Sequence, residues 1–145
     1  ASVLKRFRDK YGDADREYGI PVDELGYVKQ HIKGEKHSVA IGGGKGDTII
    51  HNHPSGSNFS DADLHNFANT RIKSMVATSS NKTTKGTYII TKTDKFNAKE
   101  FDKAMTKARW DSSKGYNKGV SEWLKKNAKK YGYTYSHKGV KNADW

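Results

Sequence analysis

The chain has 145 residues, no cysteine, and a net charge of +11 from 27 Lys/Arg against 16 Asp/Glu. Such a length suits one domain with a single modest core. The missing cysteine excludes disulfides and thiolate metal ligands, and with no apolar run of about 18 residues nothing reads as a membrane-spanning helix. The opening "ASVLKRFRDKYGD" lacks the apolar centre of a signal peptide, and is read as the start of a domain excised from a larger parent. Residues 2–11 form a basic helix, with Leu4, Phe7 and Tyr11 at i, i+3, i+7 and Gly12 to end it. "YVKQHIKG" and "KHSVAI" flank Gly34-Glu35 and suggest a hairpin. "GGGKG" at 42–46 is a loop without the Lys-Ser/Thr ending of a phosphate loop. "DTIIHNH" is a strand, and a helix starts at residue 60 with Leu64, Phe67 and Ala68 on one face. "SMVATSS" and "GTYIITKT" are two strands joined by "NKTTK". A helix follows, signalled by Asn97 and Glu100 as N-cap and N3, with Phe101, Ala104, Met105 and Ala108 as its stripe. "DSSKGYNKG" reads as a loop. A last helix turns Val120, Trp123, Leu124, Ala128 and Tyr131 inward, and "YTYSH" closes the chain as a strand. The order predicts a mixed α/β (α+β) domain, a mixed sheet with flanking helices. Its core spans about 13–95, and a basic helical part spans about 96–145.

The charge is divided unevenly. Residues 1–70 carry 9 Lys/Arg and 10 Asp/Glu, net −1; residues 71–145 carry 18 and 6, net +12. Lysine supplies nearly all of the excess, which favours phosphate attraction over base readout. Lys125, Lys126, Lys129 and Lys130 lie opposite the apolar stripe of the last helix and are the candidate nucleic-acid contacts. Solvated lysine on an amphipathic helix is the plainer reading of the same residues. Trp110, Trp123, Tyr131, Tyr133 and Tyr135 read as packing groups, not base-stacking platforms.

The stretch "IIHNHPSGSNFSDADL" concentrates the chemistry. On a strand, residues i and i+2 share a face, so His51 and His53 point the same way. Pro54 ends the strand, and Ser60 caps the next helix with Asp63 at N3 on its first turn. Two imidazoles and one carboxylate leave a position for water, the donor set of a catalytic zinc site. Taken singly, Ser-x-x-Asp is a helix start and His-x-His a pair of surface histidines; together at this spacing they point to metal. His31, His37, His65 and His137 read as surface or half-buried residues, with His31 and His37 neighbours across the expected hairpin.

His51-Asn52-His53-Pro54 with Ser60 and Asp63 resembles the signature of the JAB/JAMM (MPN-type) metalloprotease fold, and "HNHPSG" is especially like the JAB domain of the RadC family. The likeness covers about 15 residues. The loop from Pro54 to Ser60 has five residues, two fewer than the family pattern. The resemblance implies Zn²⁺ held by His51, His53 and Asp63, an upstream glutamate as general acid/base, and Ser60 as hydrogen-bond donor to the oxyanion. Glu17, Glu24 and Glu35 are the candidates for that glutamate. Glu17 is chosen because "EYGIPVDELGYV" looks like the family's first strand running into a turn.

The whole chain also resembles C-terminal domains of phage minor head proteins and of bacterial polymorphic toxins. That setting implies the bacterial cytoplasm or the phage virion, and an immunity protein or a capsid partner. The leading expectation is a zinc-dependent hydrolase acting on an amide or isopeptide bond of a protein or peptide. The alternatives are a metal-dependent nuclease or toxin domain, and a non-catalytic domain bound to nucleic acid or capsid.

Overall fold

In the computed structural model, which describes residues 2–35, 42–80, 85–108, 113 and 115–141, the first helix, α1, is Ser2–Tyr11. It stops where expected, with the Gly12 amide donating to the Arg8 carbonyl at 2.8 Å. Strand β1, Tyr18–Val22, pairs antiparallel with the short β2, Ile32–Lys33, through Tyr18↔Lys33 and Gly19↔Ile32. The chain reverses between these strands at Asp23, whose carboxylate accepts from the amides of Leu25 and Tyr27. The hairpin expected across Gly34-Glu35 has its second arm, with His37, outside the described residues.

Strand β3 is Thr48–Asn52 and leads through the 53–60 loop into α2, Asp61–Asn69. Strands β4, Ser74–Ser80, and β5, Lys85–Lys92, form the expected antiparallel pair. Helix α3, Ala98–Lys107, starts at Asn97, whose side chain accepts from the Glu100 amide at 3.1 Å. Helix α4 is Tyr116–Tyr131 and β6 is Tyr133–Lys141. The expected loop therefore gives way to helix at Tyr116, four residues before Val120. Two long-range bonds stabilise this extra turn: the Tyr116 hydroxyl donates to the Phe59 carbonyl at 2.8 Å, and Asn117 Oδ1 accepts from the Asn58 amide at 2.7 Å. Gly132 ends α4 with φ +82°, and the Lys95 backbone sits where a side chain would project; glycine meets both demands.

The six strands form one mixed sheet in the order β2-β1-β3-β4-β5-β6. Among the described strands only β3 and β4 run parallel, joined by the α2 crossover. Helix α1 packs on one face through Phe7 against Ile20, Val22, Ile50 and Val76. Helices α2, α3 and α4 cover the other through Leu64, Phe67, Phe101, Met105, Val120 and Leu124. Tyr131 and Tyr133 are buried, and Trp123 and Tyr135 pack against that core; Trp110 lies outside the described residues. Among the described residues no helix is long and apolar enough to cross a membrane.

Phe101 is fully buried, with its ring 5.2 Å from that of Tyr133 and 6.1 Å from that of Trp123. Phe101→Ala is expected to destabilise the fold by about 3–5 kcal/mol, through the forfeited transfer energy and the cavity left behind. Urea melts of the two proteins measure this, and a change under about 1 kcal/mol would mean that α3 docks far more loosely than its packing implies.

Candidate metal centre

Strand β3 has a parallel neighbour on one side and an antiparallel one, β1, on the other. A crevice at the carboxyl end of strands, beside such a change in direction, is where open α/β sheets place their ligands. Alternation along β3 assigns the faces. Ile50 belongs to the α1 side and Ile49 to the three-helix side. His51 therefore projects toward the three helices. His53, one residue beyond the strand, follows it, and the two rings lie edge to face at 4.6 Å.

Glu17 arrives from beside the neighbouring strand by register. Gly19 stands opposite His51 in the antiparallel β1–β3 pair, so two residues further along the same register Glu17 comes level with His53. The middle residue of His-Asn-His secures this approach. Asn52 is fully buried; its Oδ1 accepts from the Tyr18 amide at 2.6 Å and its Nδ2 donates to the Arg16 carbonyl at 2.9 Å. It thus grips the chain on both sides of Glu17. Glu17, His51 and His53 are all buried, and each offers a ligand atom within 4.8 Å of the others.

Helix α2 supplies Asp63 through its own cap. Ser60 Oγ accepts from the Asp63 amide at 3.1 Å, and the Ser60 amide donates to Asp63 Oδ2 at 3.0 Å, a reciprocal capping box with Asp in the N3 place. The cap turns the carboxylate toward the strand end. Asp63 Oδ2 lies 3.5 Å from His51 Nε2 and 3.2 Å from His53 Nε2. Ligands bonded at about 2.0–2.1 Å around a tetrahedral zinc stand about 3.3 Å apart. The Asp63 oxygen already has about that spacing from each of the two histidine nitrogens.

The hydrogen bonds of the two rings are compatible with a cation site. His53 Nδ1 donates to the Ser57 carbonyl at 2.7 Å, so in the neutral ring the lone pair is on Nε2, the nitrogen facing Asp63. Both ring nitrogens of His51 are buried, and among the described residues neither has a hydrogen-bond partner. Buried polar atoms are seldom left so, and a metal ion at Nε2 would satisfy one of them. Burial opposes charge on His53, but the bond and charge of Asp63, with Glu17 and the Ser57 carbonyl, outweigh it and raise its pKa. Burial likewise opposes the Asp63 charge, yet the two histidines hold its carboxyl well below the ordinary range. The residues present fit a divalent cation that takes nitrogen and oxygen donors.

The structure thus brings together Glu17, His51, His53 and Asp63, with Ser60 adjoining at the cap. Glu24 and Glu35 are exposed; Glu24 lies beside Gly46, and Glu35 meets Glu17 through the backbone, its carbonyl accepting the Glu17 amide at 2.8 Å. Lys125, Lys126, Lys129 and Lys130 are exposed on α4, about 13–21 Å along the helix from its Tyr116 end at 1.5 Å per residue. Lys125 Nζ donates to His137 Nε2 at 3.0 Å. His65 is exposed and pairs with Asp102 at 3.0 Å, and His31 is exposed with its Nδ1 3.2 Å from the Tyr11 hydroxyl. Sequence reasoning misses Asn52, Asn58 and Asn117. Asn52 carries a signal in its place between two histidines, whereas Asn58 and Asn117 carry none beyond being polar residues in apparent loops.

Comparison of the chain with protein-family models, with curated proteins and with solved structures finds no match.

Proposed function

We propose that this protein is a zinc-dependent hydrolase of JAMM-like type that cleaves an amide or isopeptide bond in a protein or peptide. The convergence of Glu17, His51, His53 and Asp63 at one strand end supports it above all, together with buried His51 ring nitrogens that have no hydrogen-bond partner among the described residues. Zinc in such a site supplies a polarised, more acidic water. His51, His53 and Asp63 would hold the ion. Glu17 takes a proton from the attacking water and delivers it to the leaving amine. The Ser60 hydroxyl uses a lone pair on the Asp63 amide, so its own proton is available to the oxyanion. The test is cleavage of a panel of peptide- and isopeptide-linked substrates by the zinc-loaded protein, with and without chelator. Chelator-sensitive cleavage is expected; none on any substrate by a protein shown to hold zinc would count against a peptidase.

The four lysines on α4 favour a second reading, a metal-dependent nuclease or a nucleic-acid-bound domain, because the same ligands can serve a phosphodiester. Changing all four to Gln is then expected to weaken DNA and RNA binding and to flatten its salt dependence, by up to about 0.9 in logarithmic slope for each duplex DNA phosphate that is no longer neutralised. Stability should move by well under about 1 kcal/mol, since exposed charges contribute little. Filter binding at low and physiological salt decides this; no binding by the unmodified protein even at low salt removes the nucleic-acid reading.

A further inference from the structure

The 53–60 loop is tied to helix α4. Asn58, 1% exposed, and Asn117 on α4, 6% exposed, meet across 59 residues of sequence. The peptide unit joining Ser57 to Asn58 lies between that helix and the site. Its N–H, on Asn58, donates to Asn117 Oδ1 at 2.7 Å. Its carbonyl, on Ser57, accepts from His53 Nδ1 at 2.7 Å. The Asn58 side chain makes the clamp two-sided, with Nδ2 3.1 Å from the Asn117 carbonyl, 3.0 Å from Ser121 Oγ and 2.8 Å from the Tyr135 hydroxyl. Its Oδ1 accepts from the Phe59 amide at 2.8 Å.

We propose that Asn117, acting through the Ser57–Asn58 peptide, is a positioning residue that sets the tautomer and ring orientation of His53; the role rests on the reading of His53 as a metal ligand. A peptide whose N–H is engaged presents a more strongly accepting carbonyl. The carbonyl holds the imidazole proton on Nδ1, and Nε2 keeps the lone pair a cation needs. Partners of this kind fix metal-ligating histidines and commonly change affinity by about 10–100-fold when removed. The bonds from Tyr116 and Asn117 to residues 58 and 59 of the loop mean that the basic C-terminal part of the chain helps to build the site.

The experiment uses the full chain and two readings. Long-range ¹H–¹⁵N spectra of the metal-free protein, at a pH above the imidazole range, report the His53 tautomer. Chelator competition reports zinc affinity. Wild-type protein is expected to show a single Nδ1–H tautomer at His53. Asn117→Ala should admit the Nε2–H form and weaken zinc by about 10–100-fold. Asn117→Asp retains an acceptor oxygen for the Asn58 amide and should restore the tautomer, with zinc affinity within about threefold of wild type. Thermal melts confirm folding; should Asn117→Ala not fold, Asn117→Ser gives the same two readings with less space left empty. An unchanged tautomer and unchanged zinc affinity in a folded variant overturn the proposal. A tautomer that shifts while even wild type binds no cation upholds the positioning of His53 and sinks the metal reading alone.

Discussion

Titrated with zinc, the metal-free protein is expected to take up about one ion per chain, as a site with three protein ligands and a water should. His51→Ala or Asp63→Ala should weaken that binding by more than the about 10–100-fold that outer-shell changes cost. Each removes a donor atom outright. Asp63→Ala also removes the carboxylate that faces Nε2 of both buried histidines. Bound zinc should stabilise the fold by about 4 kcal/mol when free metal is a thousandfold above its Kd, so chelator should lower the melting temperature. The pH dependence has a definite sign. Zinc must displace a proton from any charged imidazole, and the His53 pKa is raised because Asp63 and Glu17 outweigh burial. Binding should therefore strengthen as pH rises through that raised value and weaken below it, the transition lying above the ordinary imidazole value. Asp63, held well below the ordinary carboxylate range, stays ionised throughout. Calorimetric titrations from about pH 5.5 to about 8.5 measure this. Mass spectrometry and calorimetry that find no ion on wild type would end the metal reading.

Glu17→Gln is expected to keep the fold and lower turnover by about 10²–10⁴-fold, the usual contribution of a positioned general acid/base. Glutamine has nearly the same shape but cannot take the proton. Glu24→Gln and Glu35→Gln should change little, because both residues are exposed and outside the cluster. Zinc affinity must be measured beside turnover, since the Glu17 carboxylate lies within ligand distance of both histidines. If Glu17→Gln loses zinc as strongly as His51→Ala does, Glu17 is a ligand and not the base. If it retains both zinc and full turnover, the catalytic role belongs elsewhere.

How much of this is legible in the chain follows from the range of each interaction. The cap of α2 is open to sequence reading because Ser60 and Asp63 bond each other across three residues; so is that of α3, where Asn97 accepts from the Glu100 amide. The common face of His51 and His53 follows from the strand period alone. The outward lysines of α4 follow from its apolar stripe of Val120, Leu124 and Tyr131. None of these depends on where the next element lies. The meeting of Glu17 with His53 does, since it is set by the register Gly19↔His51 and by the Asn52 side chain that grips residues 16 and 18. Nothing local distinguishes Glu17 from Glu24 or Glu35 by charge or size. The start of α4 escapes a sequence reading for the same reason. Gly115, Tyr116 and Asn117 have loop-like composition, and their turn is held by Phe59 and Asn58, more than fifty residues earlier. Periodicity and capping act within about one helical turn and are written in the sequence. Strand register and buried amide pairs act between distant segments, and only the folded sheet brings those groups within hydrogen-bond reach.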